Sequence, residues 1–183
     1  MPPNAPPITW SAAQRRLHWL VADGVVAAFI LSLIMTRLGD DQLLLKFFLY
    51  QIHKTLGLLV LAGTVARLVL LIRHGRPPLP DSFTPLEKRA VHLGHGVLYV
   101  LLIVVPVLGY LTNSTSPSRI PVLFMLVIPL PNLTPPSQYW NDLFVTFHYF
   151  AAIALVVIAT VHALIAIVHH LRGQPILRRM WSG

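Results

Sequence analysis

The stretch TFHYFAAIALVVIATVHALIAIVHH, Thr146–His170, is apolar enough to lie in lipid, yet it carries His148, His162, His169 and His170. A helix of about 20 predominantly apolar residues crosses a bilayer, so this segment reads as a membrane span. Three more runs share its character, at about 17–36, 47–72 and 92–111. Asp40 and Asp41 mark a polar turn after the first run. RHGRPPLPDSFTP, Arg73–Pro85, ends the second, because no helix continues through so many prolines. Pro106 is expected to kink the third. IPVLFMLVIPLP, Ile120–Pro131, is apolar but too short to span. It is expected to be an interfacial or re-entrant segment between the third and fourth spans.

The composition agrees. Of 183 residues, 55% are hydrophobic and 11% charged, whereas a soluble domain carries about a quarter charged residues. The expected fold class is all-α: an integral membrane four-helix bundle forming one domain over 1–183. The first sixteen residues are proline-rich and polar, unlike a cleaved signal peptide. A net charge of +8 would suit nucleic acid. The basic residues flank the apolar runs instead, which points to lipid headgroups and topology and away from a nucleic-acid partner. The absence of cysteine excludes disulfides, cysteine-ligated iron–sulfur clusters, thiolate zinc sites and haem attached through Cys-x-x-Cys-His.

Basic residues also orient the spans. Arg15, Arg16, Arg67, Arg73, Arg76, Lys88, Arg89, Arg172, Arg178 and Arg179 fall on one side, while Arg37, Lys46, Lys54 and Arg119 fall on the other. The bias places the N- and C-termini in the cytoplasm.

Topology gives each histidine a depth. His162 follows His148 by fourteen residues, about 21 Å along a helix and within about 40° of the same face. His53 shares the outer level with His148, and His18 the inner level with His162. Two levels with two histidines each, on different helices, suit two haems held by both axial positions. Ligands about 21 Å apart cannot share one metal, because imidazole–metal bonds are near 2 Å. Two zinc sites would need further ligands, and Asp23 alone lies at a suitable depth. Arg67 follows His53 by fourteen residues, so it reaches the inner level, where a haem propionate would pair with it. Gly57, one turn from His53, either admits a macrocycle or serves close helix packing. His169 continues the His162 face about 10 Å nearer the cytoplasm and suits a quinone headgroup, a propionate or the interface. His92 and His95 suit a quinone, a propionate, protons or the interface. His170 and His74 read as interfacial and solvated.

These residues form a pattern that resembles the bacterial cytochrome b561 family. The pieces are RRLHW (15–19), QIHKTLG (51–57), VARLVLLIRHGRPP (65–78), HLGHGVLYVLL (92–102), FHYF (147–150) and VHALIAIVHH (161–170). The resemblance implies a multi-pass protein of the bacterial inner membrane with two haem b groups, ligated by His18 with His162 and by His53 with His148. It also implies a superoxide oxidase activity: electrons from periplasmic superoxide pass through the haems to ubiquinone. The alternative is a general b-type electron carrier between a partner dehydrogenase and the quinone pool. For the oxidase, Lys46, Lys54, Arg37 and Arg119 are expected to steer the anion. His95 and His169 are the leading candidates to bind the quinone.

Overall fold

The computed structural model describes residues 9–174 and 176–181, so the first half of the proline-rich N-terminus lies outside the described residues. Four long helices dominate: α1 (Ala12–Met35), α2 (Leu43–His74), α3 (Pro85–Thr115) and α4 (Gln138–Leu171). All four are long and apolar enough to cross a membrane, as expected. A short helix, α5 (Ile176–Trp181), follows α4.

Two of the helices, α1 and α3, start before the expected spans because their polar first turns are capped. Ser11 and Gln14 form a reciprocal capping box at the start of α1, and Thr84 and Glu87 form another at the start of α3, with Pro85 in the first turn. Such boxes satisfy amide hydrogens that the helix itself leaves open, so the first turns hold without apolar burial. At the far end of α2, Gly75 takes φ 71°, a conformation cheap for glycine, and the prolines follow. Pro106 lies inside α3.

Residues 120–131 are more ordered than the sequence suggested. They form an antiparallel hairpin of β1 (Val122–Phe124) and β2 (Ile128–Leu130), with Val122 opposite Leu130. Its turn uses Met125 at φ 52° and Leu126 at φ 64°, unusual for residues with side chains. Gln51, fully buried on α2, donates to the Pro121 carbonyl (3.1 Å) and accepts from Leu123 N–H (2.9 Å). One turn on, Thr55 Oγ1 accepts from Met125 N–H at 3.1 Å. Non-helical backbone beside a span must find such partners, and α2 supplies them.

The helices pack as two pairs, α1 on α2 and α3 on α4; α2 and α3 join the pairs, while α4 makes little contact with α1 or α2. Within the first pair, Gly24 faces Val60 and Gly63 faces Val21. An added Cβ would lie 2.9 and 2.8 Å from those side chains, so small residues set this close approach. The buried core is one layer with a residue from each helix: Val21, Val60, Leu102 and Leu155. Leu155 lies seven residues from His148 and seven from His162, so the layer sits midway between the two histidine levels.

The start of α1 and the short α5 meet at one end of the bundle, where Trp19 Nε1 donates to the Met180 carbonyl at 3.0 Å. The hairpin occupies the other.

Candidate functional site

Toward the hairpin end, the ring centres of His53 and His148 are 6.3 Å apart and nearly perpendicular, at 86°. His53 Nδ1 donates to the Ala28 carbonyl at 2.9 Å, and His148 Nδ1 donates to the Val105 carbonyl at 3.0 Å. A carbonyl can only accept, so both rings carry their proton on Nδ1 and keep the Nε2 lone pair for a ligand. Gly109 faces His148, and a Cβ there would come within 3.0 Å of the ring. A Cβ at Gly57 would meet nothing within 4 Å, so this glycine borders open space and is not a packing contact.

Toward the termini end, His18 and His162 have ring centres 6.4 Å apart at 66°. Arg67 Nη2 donates to His18 Nδ1 at 3.1 Å, and the guanidinium lies 5.3 Å from the Tyr99 ring centre. In this arrangement His18 carries its proton on Nε2. An iron there requires the opposite tautomer, with Arg67 turned to another acceptor.

These spacings test the fit to haem. Two imidazole–metal bonds of about 2 Å, with about 1.1 Å more from each nitrogen to its ring centre, put two axial rings a little over about 6 Å apart. Both pairs match. Each pair also bridges helices that otherwise scarcely touch. Zinc fits less well: among the described residues no three His, Cys, Asp or Glu side chains gather to hold a metal ion.

The expected quinone residues separate. His95 joins the termini-end group, 5.1 Å from His162 between ring centres, with Nδ1 donating to the Val91 carbonyl at 2.7 Å. His169 instead lies against the buried Phe83 (4.9 Å), with Nδ1 2.7 Å from Gln174 Oε1. Gln174 in turn donates to Ser82 Oγ at 3.2 Å. His92 meets Arg76 at 3.1 Å, and His74 donates to the Leu70 carbonyl within its own helix at 3.2 Å. His170 borders a cavity of about 370 Å³ with Leu177, Arg178 and Trp181.

The expected steering cations also differ from one another. Lys46 is 3.7 Å from Asp40, which offsets its charge. Arg119 is exposed in a turn at φ 53°. Lys54 is half-buried and donates to Asn113 Oδ1 at 2.7 Å. The buried run Asn113–Thr115 escaped the sequence reading. Three consecutive polar residues at the end of an apolar run were the available signal.

Fold and paired imidazoles together define the class: a multi-pass membrane bundle with facing histidines at two levels. The chain belongs to the prokaryotic cytochrome b561 family, whose model matches residues 9–183. It is 30% identical to the Escherichia coli (strain K12) protein named cytochrome b561 homolog 2, over 95% of this chain and 92% of that one. It is 27% identical to a Yersinia pestis protein named probable superoxide oxidase CybB, over 93% of this chain and 95% of that one. The family implies haem b and electron transfer in the membrane.

Proposed function

We propose that the chain is one transmembrane di-haem domain over 1–183, with His53–His148 and His18–His162 as the axial pairs. The observation that carries this reading is the repeated spacing of 6.3 and 6.4 Å at two depths. The activity that fits best is superoxide:ubiquinone oxidoreduction, the hairpin end facing the periplasm and the termini the cytoplasm. The name of the Yersinia pestis relative supports the substrate.

Haem with two imidazole ligands has no free position and supplies one-electron, outer-sphere chemistry. The chain's residues do the rest. The Nδ1 bonds to Ala28 and Val105 fix the hairpin-end rings. With haem bound, Arg67 would be the residue to pair with a propionate carboxylate, a stronger acceptor than His18 Nδ1, and His18 would be free to carry its proton on Nδ1 and offer Nε2 as ligand. The layer of Val21, Val60, Leu102 and Leu155 keeps water from joining the two levels. His95 and His169 offer two places on the termini side where a quinone could take up protons.

Mixing purified protein with superoxide, with and without ubiquinone, tests the reading. Rapid appearance of reduced haem bands, then quinone-dependent reoxidation, is the expected result. A second reading, a general electron carrier, rests on the family alone, which implies electron transfer without naming a donor. Haem that ignores superoxide but is reduced through a dehydrogenase partner would select it.

A further inference from the structure

At the hairpin end, α3 finishes in three buried polar residues, Asn113 (8% exposed), Ser114 (2%) and Thr115 (2%). Polar side chains buried there must be matched. Asn113 is held from two sides. Its Oδ1 accepts from Lys54 Nζ at 2.7 Å, and its Nδ2 donates to Asn132 Oδ1 at 3.1 Å. The Thr112 and Thr134 hydroxyls, in the same turn and the following loop, are buried without a hydrogen-bond partner.

Lys54 is the chain neighbour of His53. Among the described residues no carboxylate lies within ion-pair distance of it, since the ion pair there joins Lys46 to Asp40. An ammonium has three N–H donors, and Asn113 takes one. A half-buried cation without a counter-ion, its direction set by an amide that is itself anchored, attracts an anion strongly. Lys46 differs because Asp40 at 3.7 Å offsets its charge, and Arg119 because it is exposed, where salt screens it.

We propose that Lys54 and Asn113 form a binding pocket for a small monoanion beside the His53–His148 pair, Lys54 making the contact and Asn113 positioning it. The natural anion, superoxide, rests on the function proposed above; the pocket itself does not. Bound superoxide loses one electron to the haem held by His53 and His148 and leaves as O₂. No bond forms or breaks and no proton moves. The product is uncharged, so the ammonium that captures the substrate does not retain the product.

A second source of the same charge is a propionate of that haem, and the test separates the two. Azide serves as probe on the haem-loaded protein, because two imidazoles leave it no place on iron. The expected result is a saturable infrared band of bound azide in the wild type. Lys54→Met should abolish it and Asn113→Leu should weaken it. Lys54→Met should also slow reduction by superoxide by about tenfold or more, with both haems retained. Loss of the hairpin-end haem in Lys54→Met would overturn the proposal, as the anion would then be the propionate. So would azide binding indifferent to Lys54. Lys54-dependent azide binding in a wild type that superoxide fails to reduce would sink the oxidase reading and leave the pocket standing.

Discussion

Gly109 and His148 fit against each other: a Cβ on the glycine would come within 3.0 Å of the imidazole Cε1, and the ring's Nδ1 is tied to Val105, one turn earlier on the same helix. A branched side chain at 109 therefore moves a ring that has nowhere to go. Gly109→Val is expected to lower haem content to about half by displacing one axial imidazole. A haem-to-protein assay with spectra of the remaining haem measures this. Full occupancy would mean that His148 is not a ligand.

Pairing of the ligands has its own signature. His53→Ala and His148→Ala should each remove the same haem, and the double variant should remove no more. His18→Ala and His162→Ala should do likewise for the other. Residues that act on one site are non-additive, whereas independent sites add. Additive loss within either pair would show that the rings at 6.3 or 6.4 Å do not share an iron.

Gln51 anchors the hairpin through two backbone groups 70 and 72 residues away. Gln51→Leu removes the partner of the Pro121 carbonyl and of the Leu123 N–H, at about 0.5–1.5 kcal/mol each. Faster amide exchange in 121–126, with both haems retained, is the expected outcome. Unchanged protection would place the hairpin's stability elsewhere.

The α1–α2 contact should be sensitive to size. Gly63→Leu puts a side chain where even a Cβ would lie 2.8 Å from Val21, and Val21 belongs to the core layer. Overpacking of this kind costs about 1–3 kcal/mol. A lower melting temperature in detergent, followed by haem absorbance, checks it. Gly57→Ala serves as the contrast, since nothing in the protein lies within 4 Å of the new methyl group. Haem loss from Gly57→Ala would mark the macrocycle's position.

The histidine levels were legible because a membrane helix is a ruler. Fourteen residues return His162 to the face of His148 at a calculable depth, and no long-range information is needed. The hairpin was not legible, because its strands contain Pro129 and its turn uses Met125 and Leu126 at positive φ. Its stability comes from Gln51 and Thr55 on another element. His169 was placed on the His162 face, about 10 Å nearer the cytoplasm, by helical rise alone. The loop that brings Phe83 and Ser82 back over the bundle end gives it different company.

By itself, then, the sequence determined the membrane class, the four helices and the spacing of the histidines along them, since all three follow from apolar length and helical rise. Tertiary structure decided which rings face each other at ligand spacing and where the Nδ1 protons of His53 and His148 point. It also decided which lysine is neutralised by a carboxylate and which is held by an amide. Those depend on side chains from helices far apart in the chain, whose meeting no local periodicity encodes.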